Sequence, residues 1–529
     1  MSRMPERVRV KNRTLLAGAI AALAVSLACL TPMLDAWWFR DDFWLIALAR
    51  YTVDPIQFWV ADHSASFWFR PLGMSLWWLT FTLFGPEPMP QHLMNAGLHW
   101  VVALTFGFWM LRLSRSARIG AAAMLFYAAH PIAVRTSLWL SDRFDLLATT
   151  FVFLTCALML GDGSSVRRRC AIGLCAFLAC MSKESGLLVL PLAAAHWIST
   201  ALSDTQQRAR LRIDVLIIAA IVAIALGWRF TVMAPRTLQL LDLALPSTLI
   251  SGAWAFLKWS PVAAVGAVGL RGVAGIVAST LMSLAVVYSA VRAFWPTPRS
   301  TAFARRNFVI AGVLLLSCAL LVAPIAAQNL LGNSLIHDPI SARLFHLAIA
   351  SGFLILIEPC MIVYAAVKNR AIWLLVAAGL TLSAAVAAVA AGREDAATWT
   401  SATNGPLRSG LAQLTQTLAR VDLPERCRVV VVGSLAQEDE FQRNGDVMLK
   451  ATIGVASSAL VRCLVVTATP PTFALVSSDL CGTGVWASIA ASHPTAPPHR
   501  FANLCYQFLV PPLVSSPRND PLSRTVESR

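Results

Sequence analysis

Charged residues are scarce in this chain. Only 13% of its 529 residues are Asp, Glu, Lys or Arg, whereas 57% are hydrophobic. Acidic residues are the scarcer sign, with 27 Asp and Glu against 43 Lys and Arg. This composition excludes an ordinary soluble enzyme and indicates a protein that crosses a membrane several times. The sequence also lacks a fixed-period repeat and a strong zinc-binding signature.

The net charge of +16 does not indicate nucleic-acid binding, because the arginines are not distributed as a binding face would require. They fall in short clusters between apolar runs, which is the pattern that fixes the orientation of membrane helices. The first cluster, from Arg3 to Arg13, precedes the first apolar run and predicts a cytoplasmic N-terminus.

Apolar runs of about 20 residues, the length that crosses a bilayer core, predict eleven transmembrane helices. They lie near residues 14–33, 92–111, 118–135, 144–160, 169–182, 185–201, 213–233, 271–294, 307–330, 344–367 and 371–391. Two short runs, 169–182 and 185–201, are typical of a tilted or re-entrant pair. The piece at 249–267 carries Lys258 and Pro261 and is predicted not to cross.

The predicted fold is a polytopic α-helical membrane domain, residues 1–391, followed by a small α/β-type domain at 392–529. A long external segment at 34–91 is rich in tryptophan and predicts interfacial helices. The odd number of spans places 392–529 outside the cytoplasm, in the periplasm of a bacterial-type inner membrane.

The C-terminal domain contains predicted strands at Arg428–Val432 and Val461–Thr467 and a predicted helix around 436–453. Four cysteines fall in it, an even number that permits two disulfides in an oxidising compartment. Four free thiols are the alternative, and the pairing stays open. The four are Cys427, Cys463, Cys481 and Cys505.

Polar residues other than the basic clusters fall on the external side of this topology. Asp41 and Asp42 follow the first span, and ionisable groups at a membrane edge are costly and usually functional. Three further residues are spaced so that one face of a helix presents them all. These three are His92, Asn95 and His99, and the remaining external candidates are Arg70, His130, Asp142, Arg143, Lys183, Glu184 and Arg343.

Structural alternatives exist for several of these patterns. The Asp41–Asp42 pair also suits the first turn of a helix, and the histidine and asparagine face also suits a hydrogen-bonded packing seam. Lys183 and Glu184 are close enough in sequence to form a mutual ion pair, and Arg343 also suits a surface arginine reaching the interface.

Together these residues resemble the motifs of type C glycosyltransferases, most closely the transmembrane and tetratricopeptide-repeat O-mannosyltransferases and their bacterial relatives. The resemblance covers about residues 15–400. The matching segments are Arg40-Asp41-Asp42-Phe43, Phe69-Arg70-Pro71-Leu72, His92 through Asn95 to His99, His130-Pro131-Ile132, Ser141 to Ala148, Lys183-Glu184-Ser185-Gly186, Ala342-Arg343-Leu344-Phe345 and Arg393 to Trp399.

The chain also departs from the family. Arg135 stands where the family often has a glutamate, and His346 stands near the usual tyrosine. A short predicted domain follows the membrane part in place of tetratricopeptide repeats. These departures leave the acceptor open.

The resemblance implies an inverting glycosyltransferase that moves a sugar from a polyprenyl-phosphate donor to an extracytoplasmic acceptor, either a protein hydroxyl or an envelope glycan or lipid. It implies that Asp41 or Asp42 is the base. For the leaving phosphate it implies Arg343 first, then Arg70, Lys183 and Arg143. The sugar and acceptor pocket would be lined by His92, Asn95, His99, His130, Asp142 and Glu184.

No metal is assigned, although paired acids leave a divalent cation open. Two other classes compete with the enzyme. A transporter or flippase for a lipid-linked sugar would carry repeat symmetry and broken helices at the bilayer midplane. A catalytically inactive membrane scaffold is the second, since resemblance to a fold does not guarantee activity.

Overall fold

The computed structural model describes residues 6–39, 41–61, 69–85, 87–200, 205–243, 246–264, 284–291, 301–329, 345–366, 386, 388–401, 428–431, 462–468 and 471–477. Clustering of the chain gives two compact units. The larger contains residues 1–34, 56–75 and 91–397 and holds most of the long helices. The smaller contains residues 35–55, 76–90 and 398–529.

Within the described residues the membrane part is helical. Its helices are α1 Glu6–Leu30, α2 Asp41–Tyr51, α3 Gln57–Val60, α4 Pro71–Phe84, α5 Pro88–Ser114, α6 Ala117–Ala129, α7 Pro131–Leu138, α8 Arg143–Met159, α9 Val166–Ser182, α10 Val189–Thr200, α11 Thr205–Leu243, α12 Pro246–Ala264, α13 Thr301–Asn329 and α14 Ile349–Ala366. Short 3-10 turns occupy Thr31–Asp35, Leu140–Asp142 and Glu184–Leu188.

Four of the described helical segments are long and apolar enough to cross a membrane, and a bent pair makes a fifth. The four are Asn12–Asp35, Pro88–Ser114, Gln207–Met233 and Phe303–Ala323. The chain is therefore a helical membrane protein in its described part, as predicted. The total of eleven spans stays a prediction, because the runs at 271–294 and 371–391 fall mostly outside the described residues.

The span predicted at 118–135 corresponds to a bent pair of helices. Helices α6 and α7 together are long and apolar enough to cross a membrane, and they are bent by 52° at their junction. The residue before a proline is disfavoured in helical conformation, and His130 accordingly adopts φ −70° and ψ 124°. Its side chain then accepts a hydrogen bond from the backbone N–H of Ile132 at 3.3 Å and caps α7.

Small residues allow close helix crossings inside the larger unit. A Cβ on Gly107 of α5 would lie 2.7 Å from the carbonyl oxygen of Gly120 in α6. A Cβ on Gly18 of α1 would lie 2.6 Å from the Cβ of Ala121 in α6. This small-residue contact is the packing that membrane helices commonly use, because it lets their backbones approach. It fixes α1, α5 and α6 against each other near the helices that carry the site.

The predicted interfacial segment after α1 contains three helices in its described part, joined by non-helical residues. Helices α2, α3 and α4 are short or interrupted, and in the smaller unit the indole of Trp78 donates to the carbonyl oxygen of Thr52 at 2.8 Å. Asp62, His63 and Trp68 lie outside the described residues.

Both predicted C-terminal strands are present. They are β1 Arg428–Val431 and β2 Arg462–Ala468, which pair in parallel, and β3 Pro471–Ser477 pairs antiparallel with β2. The sequence reading missed β3. The helix predicted at 436–453 lies outside the described residues, as do three of the four cysteines, so the disulfide prediction stays a prediction.

Candidate active site

The two aspartates of the predicted catalytic pair open helix α2, in the smaller unit. The backbone N–H of Phe39 donates to a carboxylate oxygen of Asp42 at 3.0 Å, and the N–H of Asp42 donates back to the carbonyl oxygen of Phe39 at 3.0 Å. The first bond is the one that an acidic side chain in the first turn of a helix makes to the backbone N–H before the helix, and the second is a backbone turn bond. Asp42 is 1% exposed, whereas Asp41 is only half-buried. The alternative that the acidic pair forms the first turn of a helix therefore holds for Asp42. The two acids differ in their exposure to solvent.

The same unit brings a second motif to the acidic pair. The ring of Trp399 packs edge-on against that of Phe39 with centroids 4.8 Å apart. Phe39 precedes the acids by two residues, and Trp399 closes the last segment of the resemblance. Residues separated by 360 positions thus meet at the start of α2.

A cluster of charged residues forms in the larger unit around Glu184. Arg70 donates to one carboxylate oxygen of Glu184 through Nε at 3.1 Å and Nη2 at 2.8 Å. Arg229 of α11 donates to the other oxygen at 2.7 Å. We name Arg70, Glu184 and Arg229 the arginine–glutamate cluster.

Charge controls the ionisation of Glu184. Burial opposes the charged form, but the guanidinium groups of Arg70 and Arg229 outweigh that effect and lower the pKa of Glu184 to about 2. The carboxylate is therefore ionised at all physiological pH values. One negative charge between two positive ones leaves the cluster with a net single positive charge.

Lys183 does not depend on its neighbour Glu184 for an ion pair, because its ammonium group pairs with Asp145 of α8. Both side chains are largely buried. The two adjacent residues thus join different elements, since Lys183 binds α8 while Glu184 binds Arg70 and α11.

Close backbone packing explains the glycine of the Lys183-Glu184-Ser185-Gly186 motif. A Cβ on Gly186 would lie 2.0 Å from the carbonyl oxygen of Ala179 in α9, so no other residue fits there. The 3-10 turn at Glu184–Leu188 therefore folds directly onto the end of α9 and holds both charged side chains in place. Gly73, three residues after Arg70, is packed in the same way. A Cβ on Gly73 would lie 2.0 Å from a ring carbon of Phe144.

Arg143 is fully buried and has polar partners on α5. Its Nε donates to the side-chain oxygen of Asn95 at 3.0 Å, and its Nη2 donates to the carbonyl oxygen of Gln91 at 3.0 Å. The amide of Asn95 in turn donates to the carbonyl oxygens of Ser137 and Trp139 at 3.3 and 3.2 Å. These contacts favour a positioning role for Arg143, and direct phosphate binding by this residue stays a prediction.

The predicted common face of His92, Asn95 and His99 is confirmed, because all three are buried on one side of α5. The ring nitrogens of His99 contact the hydroxyl of Ser137 at 2.8 Å and the carbonyl oxygen of Ala128 at 3.1 Å. This face is thus a hydrogen-bonded seam against α6 and α7. Asp142 is buried at the end of a 3-10 turn that leads into α8.

The two departures from the family have partners in the structure. Arg135 forms a two-point ion pair with Asp395, at 2.8 and 3.0 Å. His346 is hydrogen-bonded to the hydroxyl of Tyr127 and to that of Thr149, the latter at 3.3 Å. Each substituted residue is thus held by side chains from distant parts of the chain.

Arg343, the first choice for phosphate binding, lies outside the described residues. In the described part of the chain no group of three or more His, Cys, Asp or Glu side chains is arranged to hold a metal ion. The divalent cation stays open.

Sequence reasoning missed Arg229 and gave Asp145 no role. Arg229 lies between Trp228 and Phe230 at the end of a long apolar run. An arginine in such a run was the available signal, because intramembrane charges usually have a function or a partner. The Trp228 indole also donates to the carbonyl oxygen of Trp59 at 2.8 Å.

Comparison with known proteins supports the resemblance. A protein O-mannosyl-transferase of Caenorhabditis elegans is 27% identical over 146 residues, which are 26% of this chain and 20% of that protein. The match confirms the sequence resemblance to O-mannosyltransferases over that part of the chain. The chain aligns with only about a fifth of that relative's length. No protein-family model matches the chain.

Two solved structures align with most of this chain. An Archaeoglobus fulgidus oligosaccharyltransferase aligns with a TM-score of 0.49 and 12% identity over 82% of this chain and 61% of that one. ArnT from Cupriavidus metallidurans, bound to undecaprenyl phosphate, aligns with a TM-score of 0.45 and 16% identity over 92% and 95% of the two chains. Both TM-scores are below 0.5, so neither alignment carries an inference about this chain.

Proposed function

We propose that this protein is a membrane glycosyltransferase that takes a sugar from a polyprenyl-phosphate donor. The observation that carries the proposal is the ion pair between Arg70 and Glu184, residues 114 positions apart. Each belongs to a different motif of the O-mannosyltransferase resemblance, and the fold joins them. The sequence match to a protein O-mannosyl-transferase supports the same assignment.

The proposed chemistry is an inverting substitution at the anomeric carbon. The acceptor oxygen attacks this carbon while a carboxylate takes the proton of its hydroxyl, and the bond to the lipid phosphate breaks, so the phosphate leaves as an anion. Asp41 is the proposed base. Asp42 is buried and its carboxylate caps α2, which suits an orienting role.

The leaving phosphate requires positive charge. Guanidinium groups offer paired donors to phosphate oxygens, and the proposed donors are Arg343, Arg70 and Arg229, with Lys183 as a further cation. Glu184 orients Arg70 and Arg229 and leaves one positive charge in excess. A phosphodiester carries one negative charge, so the cluster matches the donor in charge.

The buried seam of α5 is proposed to shape the sugar and acceptor pocket. His92, His130 and Asp142 are the proposed lining residues. Asn95 and His99 contribute by holding the turn after α7, because their side chains bond Ser137 and Trp139. The proposed acceptor is a hydroxyl on a protein or on an envelope glycan or lipid.

The proposed location is a bacterial-type inner membrane, with the N-terminus in the cytoplasm and the catalytic acids and the domain at 392–529 in the periplasm. The arginine clusters between apolar runs support this orientation.

The test is release of polyprenyl phosphate from a panel of lipid-linked sugars by the purified full-length protein. We expect Arg70→Gln to lower the rate of release strongly. The control Arg135→Gln, which breaks another buried ion pair, should retain most of the wild-type rate. Movement of the lipid across a bilayer without release would instead indicate a flippase. Absence of both activities across the panel would indicate a scaffold.

A further inference from the structure

A second group of arginines lies in the larger unit, at the opposite end of α9 from the arginine–glutamate cluster. Helix α9 runs from Val166 to Ser182, next to Lys183, and its 17 residues span about 25 Å at the usual helical rise. Residues 160–170 and 205–214 contain six arginines and two aspartates. The arginines are Arg167, Arg168, Arg169, Arg208, Arg210 and Arg212, which we name the arginine collar.

One arginine of the collar, Arg168, holds the fold through both of its terminal guanidinium nitrogens. Arg168 donates to both carboxylate oxygens of Asp214 at 3.0 and 2.9 Å and to the carbonyl oxygen of Leu158 at 3.0 Å. Asp214 is completely buried. The pair fastens α9 to α11 and to the end of α8.

The remaining arginines leave a surplus of positive charge. Arg169 and Arg210 are near enough to Asp214 to act on its carboxylate, but that carboxylate already binds Arg168. Arg208 and Arg212 are exposed. The other acid of this segment, Asp162, is 90% exposed and lies 3.9 Å from Arg112. The collar therefore retains several charges that the described residues do not neutralise.

The arginine collar borders exposed apolar side chains, an arrangement that suits a lipid headgroup with its acyl chains. Arg208 and Arg212 are four residues apart on α11, and Leu216, four residues further along the same face, is 59% exposed. On α9 the exposed Arg167 is likewise followed two turns later by Leu174, 58% exposed. The guanidinium of Arg208 lies 5.8 Å from the ring centre of Trp197, and tryptophan is enriched at the membrane–water boundary.

We propose that the arginine collar binds an anionic phospholipid, with the phosphate at Arg208 and Arg212 and the acyl chains along the exposed leucines. Basic pockets between helices on the cytoplasmic side of membrane proteins are suited to such headgroups. The ligand class is a glycerophospholipid with a net negative headgroup. This site is separate from the donor site and does not rest on the glycosyltransferase proposal.

The test measures lipid retention by the full-length protein, purified in detergent and supplied with dioleoyl-phosphatidylglycerol or dioleoyl-phosphatidylcholine. Native mass spectrometry counts the bound lipids. We expect wild type to retain phosphatidylglycerol preferentially. Each basic residue near an anionic surface contributes about fivefold to binding, so Arg208→Ala with Arg212→Ala predicts a loss of about 25-fold.

The control pair is Arg13→Ala with Arg118→Ala, which removes two exposed arginines of α1 and α6 that lie outside the collar. We expect it to retain the lipid, as should Arg208→Lys with Arg212→Lys, which keeps the charge. Equal loss in both alanine pairs, or no preference of wild type for phosphatidylglycerol, would overturn the proposal. Displacement by low-millimolar inorganic phosphate would also overturn it, since it would show that a soluble anion suffices.

Discussion

Replacement of Glu184 by glutamine tests the arginine–glutamate cluster. The change keeps the shape of the side chain but removes the charge that pairs with Arg70 and Arg229. Two guanidinium groups, 12% and 17% exposed, would then face each other without their shared counter-ion. We expect Glu184→Gln to destabilise the protein at pH 7 and to weaken the pH dependence of its stability.

The magnitude follows from the pKa of Glu184, which falls from an ordinary value of 4.5 to about 2 in the folded protein. By linkage, a difference of this size corresponds to about 3 kcal/mol of stabilisation, and partial exposure of the carboxylate reduces it to about 2–3 kcal/mol. The folded pKa is the lower one, so the stabilisation is complete above about pH 4.5. It is lost as the pH falls towards 2.

The measurement is the free energy of unfolding by SDS in mixed micelles at pH 7, pH 4 and pH 3. Glu184→Gln should be less stable than wild type at pH 7, and somewhat more than half of the difference should vanish at pH 3, which is still about one unit above the folded pKa. Glu87→Gln, a change at an exposed glutamate, is the control and should match wild type throughout. An unchanged stability of Glu184→Gln at pH 7, or a deficit that is as large at pH 3 as at pH 7, would refute the reasoning.

Two further substitutions test packing and the buried arginine. Gly186→Ala places a Cβ 2.0 Å from the carbonyl oxygen of Ala179 and should abolish expression of folded protein. The control Gly97→Ala, whose Cβ would have nothing within 4 Å, should be neutral or stabilise the protein by up to about 1 kcal/mol. Size-exclusion profiles compare the two variants, and a normal profile for Gly186→Ala would contradict the close contact. Arg143→Met removes the hydrogen bonds to Asn95 and to the backbone of α5. It should lower the free energy of unfolding by about 2–4 kcal/mol, because the buried polar partners lose their bonds. A decrease of less than about 1 kcal/mol would show that the network is not structural.

Much of the helical organisation could be predicted from hydropathy and arginine placement, because long apolar runs have few other folds in a membrane. Hydropathy did not predict the break in the helix at His130. Pro131 changes the backbone conformation of the residue before it and leaves the apolar character of the run unchanged. A proline inside an apolar run was the available warning.

The site was predictable in composition but not in pairing. Motif likeness selected Arg70, Lys183 and Glu184 but not the further partners Asp145 and Arg229. Asp145 lies inside the matching segment Ser141 to Ala148, where the likeness gave it no role, and Arg229 lies outside every matching segment. Ion pairs between distant elements depend on helix rotation and crossing. Helix rotation and crossing angle leave no recognisable pattern in a single sequence.

The most direct test of the central claim is sugar transfer by Asp41→Asn, assayed as release of polyprenyl phosphate from whichever lipid-linked sugar wild type uses. A general base contributes about 10²–10⁴-fold to rate, so the variant should lose transfer by at least about 100-fold while inserting and folding normally. Asp54→Asn, a change at an exposed aspartate of the same unit, should transfer at the wild-type rate. Wild-type transfer by both Asp41→Asn and Asp42→Asn, each at normal expression, would contradict the proposed mechanism.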